Sequence, residues 1–250
     1  MKQLIWDLPT RLFHWTFAGS ILAAFALGKF ANEHSTLFAL HMIFGALAGL
    51  MLLWRIFWGF AGSKHSKFKD LIFSPRAIVE YFANVFRGKA QYFAGHNPGG
   101  ALSVWIMLGL ALVSVATGIG MGFFGEALEE VHEVVTTLLI FAVAFHITGV
   151  IVATIMHNEP YPIAMITGKK TAQSDESIAS TRPVSAAVFL VIAIAGMTYV
   201  TKGFDLATRT FHAPGTSFIL KFGENEKEEG GGETENAENS KDSDDDDDDD

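Results

Sequence analysis

Residues 131–148 read "VHEVVTTLLIFAVAFHIT". Two histidines, His132 and His146, stand fourteen residues apart in this mostly apolar run. At 100° per residue, that interval falls roughly 40° short of four helical turns, so both rings leave nearly one face, separated by roughly 21 Å along the axis. The hydrocarbon core of a bilayer is about 30 Å thick. A helix built on this stretch therefore sets one imidazole near each membrane surface.

The rest of the chain agrees with that setting. Half of its 250 residues are apolar, and they gather in long blocks. Runs long enough to cross a membrane lie at 12–30, 36–61, 101–124, 131–156 and 184–200. Only helices and closed barrels satisfy their backbone polar groups in lipid, and runs of this length fit helices. The first run does not read as a cleaved leader, because Lys2 and Arg11 are interleaved with Trp6, Asp7 and Pro9 and His14 sits just inside it. Between the second and third runs, "SPRAIVEYFANVF" (74–86) predicts an interfacial helix, with Ser74 as cap and Pro75 at its first position.

Charge is unevenly distributed. From Gly223 onward, fifteen acids against two lysines put −13 on the tail, leaving +4 on the remainder of a chain whose net charge is −9. The aspartate run is self-repelling and is expected to be disordered. The connection between runs two and three carries Lys64, Lys67, Lys69, Arg76, Arg87 and Lys89 against Asp70 and Glu80; Lys169, Lys170 and Arg182 follow run four. The loop between runs three and four carries only Glu126, Glu129 and Glu130. The positive-inside rule then places the amino terminus in the cytoplasm and, with five spans, the carboxyl terminus outside. No nucleic-acid partner is expected. With no cysteine in the chain, disulfides, iron–sulfur ligation and thioether-linked haem are excluded.

Helix direction sorts the histidines by depth. His14 begins a rising span and lies on the inner side. His41 begins a descending span and lies on the outer side. Span four descends as well, with His132 outside and His146 inside. The four rings thus divide into His14 with His146 and His41 with His132. Two imidazoles facing each other across a bundle suit the axial positions of a haem iron. Gly45 and Gly49 follow His41 at one-turn intervals, Gly149 follows His146, and Gly118 and Gly120 lie on span three; each would admit a flat macrocycle. Two rival readings remain open: histidines that only hydrogen-bond between helices, and a metal transport site, which would want three or four ligands at one point.

"WDLPTRLFHW" (6–15), "LHMIFG" (40–45), "GHNPGG" (95–100), "HE" ahead of "FHITGV" (145–150) and "AMITGKK" (164–170) together resemble the prokaryotic cytochrome b-561 family, which includes the b-type subunits of nickel–iron hydrogenases. The resemblance covers about residues 4–170. It implies an all-α integral membrane protein of the bacterial inner membrane with a four-helix haem-binding bundle (1–170). To this the chain's own hydropathy and charge add a linker and fifth transmembrane helix (171–203) and a periplasmic, disordered acidic tail (204–250). The resemblance also implies two haem b groups held by bis-histidine ligation, His14/His146 on the inner side and His41/His132 on the outer. Electrons would pass between the quinone pool and a redox partner, either a cytochrome c or a dehydrogenase or hydrogenase subunit. Hydrogenase-linked members tend to carry a further histidine in span two, where this chain has only His41. That favours a stand-alone or cytochrome c-linked carrier, and the alternative is a membrane anchor whose haem is structural.

Other residues admit two readings. Arg11, three residues before His14, is either a partner for a haem propionate or a charge anchoring the helix at the surface. Arg55 needs a partner or must snorkel. His96 and Asn97 line a quinone pocket, touch the inner haem or form a helix-entry turn. His157 and Glu159 are similarly open. Glu133 orients His132 or faces water. His34, His65 and His212 read as solvated surface, and Trp6, Trp15, Trp54 and Trp58 as an interfacial aromatic belt. The acidic tail is either a solubilising segment or a steering surface for a basic partner.

Overall fold

A computed structural model describes residues 1–32 and 35–221. Seven α-helices form among the described residues: α1 (Leu8–Phe30), α2 (Thr36–Ala61), α3 (Pro75–Phe86), α4 (Pro98–Phe124), α5 (Glu129–His157), α6 (Tyr161–Thr167) and α7 (Pro183–Gly203). Most of their starts are written in the sequence. Asp7, Ser35, Ser74 and Asn97 accept from the backbone N–H of Thr10, Phe38, Ala77 and Gly100, and prolines occupy the first turns of α1, α3 and α4.

Among the described residues, four helices are long and apolar enough to cross a membrane: α2, α4, α5 and α7. Helix α1 has 23 residues, long enough to span, but His14, Trp15, Thr16 and Ser20 dilute its apolar character. It lies along α2, and α5 lies along α4; α2 also packs against α4 and α7. The fold is an all-α membrane bundle, as expected. Its apolar surface, including Leu112, Ile119, Phe141, Ile151 and Val191, faces outward, as lipid requires.

The core gathers at one end, where Phe13, Met51, Trp54, Trp58 and Phe189 interlock. Trp54 and Trp58 stack with centroids 5.5 Å apart. The aromatic-belt expectation therefore fails for Trp6, Trp54 and Trp58, which are 5%, 7% and 4% exposed. Trp6 packs edge-on to His65, Trp58 donates to Asp7 beside Gly62, and Trp54 packs against Phe189 of α7; Trp15 alone of the four is half exposed. His65 is corrected for the same reason. It is buried, and its Nε2 hydrogen-bonds Glu176 O at 2.7 Å. His212 is exposed on a strand, and His34 lies outside the described residues.

Two small sheets were not anticipated. Strand β1 (Lys2–Leu4) pairs antiparallel with β2 (Lys169–Thr171), so the expected break after residue 170 falls inside a strand. Ile178 N–H donates to Leu4 O and Leu8 N–H to Thr181 O, which ties the expected linker to the amino terminus. Strands β3 (Phe204–Asp205), β4 (Thr210–His212) and β5 (Ile219–Lys221) form a three-stranded sheet where disorder was expected from residue 204. The acidic run itself lies outside the described residues.

Candidate functional site

One level of the bundle brings His41 of α2 and His132 of α5 into direct contact. Their ring centroids lie 6.0 Å apart and their planes 86° apart. His41 Nδ1 donates to Ala24 O of α1 at 2.7 Å. His132 Nδ1 lies 3.0 Å from Thr117 Oγ1 of α4. The Thr117 hydroxyl sends its own proton to the Val113 or Ser114 carbonyl, so it accepts from the imidazole. Both rings thereby engage Nδ1 as a donor, which leaves Nε2 as the nitrogen that would face a metal. His132 Nε2 is buried and has no protein partner.

Close backbone approach seats these rings. A Cβ on Gly28 would stand 2.7 Å from His41 Nδ1, and one on Gly118 would stand 3.3 Å from His132 Cε1. A Cβ on Gly45 would meet nothing within 4 Å, so the space one turn beyond His41 is open. Phe38 stacks on His41 with centroids 5.6 Å apart. Glu133 does not orient its neighbour; it pairs with Lys29 at 3.3 Å.

At the other level, His14 of α1 and His146 of α5 are electrostatic neighbours. His14 Nδ1 is buried without a partner, and so is Arg11 Nε one turn earlier. The Arg11 guanidinium is held by Nη1 on Ile166 O, at the carboxyl end of α6. A Cβ on Gly149 would also meet nothing within 4 Å.

Beneath this level lies a polar network that the sequence reading missed. Asp7, fully buried, accepts from Thr10 N–H at 2.8 Å, Trp58 Nε1 at 3.2 Å, Ser63 N–H at 3.3 Å and Ser66 Oγ at 3.1 Å. Arg55 is buried with its guanidinium 4.8 Å from the Phe68 ring centre and Asp7 as its electrostatic neighbour. His96 sits edge-on to Trp6 at 4.8 Å, and burial, with Arg55 and Lys170 adding to it, pushes its pKa down to about 3. Lys170 is buried, donates to Phe93 O at 2.8 Å, and is lowered to about 8 by burial. Glu159 accepts from Lys2 Nζ at 2.7 Å, from the Tyr92 hydroxyl at 2.6 Å and from Thr171 N–H at 2.7 Å. Burial pushes that carboxyl up, and the three donors outweigh it and hold it at about 2. His157 lies edge-on to Tyr92. Asn97 serves as the cap of α4.

The residues fit a haem at each level. Each level offers two imidazoles on different helices and buried polar atoms without partners (His132 Nε2 at one, His14 Nδ1 and Arg11 Nε at the other), and the first adds Gly45 beside open space. No group of three or more His, Asp or Glu side chains converges among the described residues, which is what a transport site would need.

The chain is 23% identical over 216 residues to a probable Ni/Fe-hydrogenase B-type cytochrome subunit of Rhodobacter capsulatus, covering 68% of this chain and 82% of that one. It is 26% identical over 133 residues to a protein of the same name from Rhizobium leguminosarum bv. viciae, covering 45% and 56%. No solved structure matches. The family model for prokaryotic cytochrome b561 matches residues 5–168, well over half of the chain, and this protein belongs to that family.

Proposed function

We propose that this membrane b-type cytochrome carries electrons through two haem b groups, one near each surface of the bilayer, between a quinone and a redox partner. His41 and His132 would hold the outer group, and His14 and His146 the inner one. The observation that carries this reading is the His41–His132 pair, in ring contact with both Nδ1 atoms already engaged. Bound haem supplies a one-electron iron couple, and two imidazoles leave the iron no open position for dioxygen.

The protein's own residues do the rest. Ala24 O and Thr117 fix the tautomers of the outer ligands. Arg11 would turn its unpartnered Nε to a propionate at the inner level, and Gly45 would admit the outer macrocycle. The positive-inside rule puts the amino terminus and the Lys2–Glu159 network in the cytoplasm of a bacterium, and sheet β3–β5 and the acidic tail in the periplasm.

The relatives' names favour a hydrogenase as redox partner, and the single histidine of α2 favours a cytochrome c. Stopped-flow mixing of the purified protein with a quinol tests the carrier reading directly. Reduction of both haems on the timescale of turnover supports it. Haems that stay oxidised with quinol and reduce only with dithionite indicate an anchor with structural haem.

A further inference from the structure

We infer that sheet β3–β5 is a cap on the outer imidazole pair, and that Arg209 is the charge through which it sets the potential of the couple held there. The inference rests on the proposed di-haem reading and extends it to a segment beyond residue 168, where the family match ends. Three contacts in series connect the sheet to the site. The Arg209 guanidinium lies 5.9 Å from the centre of the Phe38 ring. Phe38 stacks on His41 at 5.6 Å, with planes 21° apart. His41 in turn meets His132.

The placement of Arg209 is built rather than incidental. The residue has φ +50°, a left-handed conformation that non-glycine residues rarely take, in the turn between β3 and β4. The sheet bearing that turn is held at two points, by Phe218 against Phe123 of α4 at 6.2 Å and by Phe211 against Tyr199 of α7 at 6.0 Å. Asp205 closes the turn by accepting from Ala207 N–H at 2.8 Å. Arg209 is half-buried, so its field is screened less than that of a fully solvated side chain. The Lys29–Glu133 pair at the same level is internally neutral. A cation at this position favours the reduced iron, which carries one positive charge fewer, and so raises the potential of the outer couple above what the two imidazoles alone would give. The inner couple, at the far end of the bundle, lies beyond its reach.

The test is an optical redox titration of the purified full-length protein and its Arg209→Gln, Arg209→Lys and Phe38→Leu variants, with the outer component assigned as the one missing from His41→Ala. Arg209→Gln is expected to lower the outer midpoint by about threefold in the oxidised-to-reduced ratio, about 28 mV for one electron, and to leave the inner midpoint unchanged. Arg209→Lys is expected to retain most of the wild-type value. Phe38→Leu, which removes the ring that seats the guanidinium, is expected to move the outer midpoint in the same direction as Arg209→Gln. An unmoved outer component, equal movement of both, or a Lys variant that shifts as far as Gln overturns the inference while leaving the di-haem reading intact. A wild-type chain with fewer than two b-type haems overturns both.

Discussion

His41 and His132 reach each other from helices that do not follow one another in sequence, and each has its Nδ1 fixed by a third element: Ala24 O of α1 for one, Thr117 Oγ1 of α4 for the other. Four helices thus converge on two rings. His132 Nε2, buried with no partner, is costly to keep for packing alone, because an unmet buried nitrogen loses its hydration without return.

Thr117→Val keeps the shape of the side chain and removes the acceptor for His132. Partners of this kind are worth about 10–100-fold in metal affinity. The outer haem is expected to dissociate faster by a factor in that range, measured as transfer to a soluble haem acceptor, with the inner haem as internal reference. Equal loss rates for the variant and the wild type would show that Thr117 does not support a ligand.

Gly45 separates the haem reading from simple helix packing. A Cβ there meets no protein atom within 4 Å, so Gly45→Leu is expected to reach the membrane at wild-type level and to melt like the wild type when haem is withheld. The same variant is expected to carry about half the wild-type haem. Full haem content in Gly45→Leu would move the macrocycle elsewhere.

Glu159 gives the fold an acid-side pH dependence. Its folded pKa, about 2, lies below the ordinary carboxylate value. The stabilisation it brings is complete above the unfolded value, and it is lost as pH falls from about 4.5 toward 2. Glu159→Gln is expected to flatten the melting temperature across that interval and to lower it at pH 7. A variant whose acid limb superimposes on that of the wild type would assign the slope to other groups.

Asp7 holds the amino terminus of α1 to the connection beneath the bundle through Thr10, Trp58, Ser63 and Ser66. Asp7→Ala leaves those donors unmet and is expected to cost about 3 kcal/mol, measured by thermal melting in detergent. Asp7→Asn, which keeps an acceptor, is expected to cost less. Equal melting of all three proteins would make the network ornamental.

Pairing was the legible quantity. Helix direction and the fourteen-residue interval sort the imidazoles into His41 with His132 and His14 with His146, which are neighbours in the structure, and capping residues such as Asp7, Ser35 and Asn97 fix where helices begin. Azimuth was not legible. Nothing local to Thr117 or Ala24 says which neighbour they face, because that depends on how α1 and α4 pack against other helices. The polar residue at 117 beside Gly118, and Gly28 at the same depth as His41, were the available signals. Trp58 and His65 were misplaced because hydropathy assigns such residues to the headgroup region, whereas both are buried, Trp58 donating to Asp7 and His65 bonded to Glu176 O. The strands were invisible because pairs of two or three residues carry no periodicity.

The most direct test is pyridine haemochrome quantification on the purified wild type and on four single His→Ala variants, with each remaining haem identified by its midpoint potential. Two haems per wild-type chain are expected. His41→Ala and His132→Ala should lose one and the same component, and His14→Ala and His146→Ala should lose the other. A colourless wild type, or variants that pair in any other combination, would contradict the assignment of one haem to each level of the bundle.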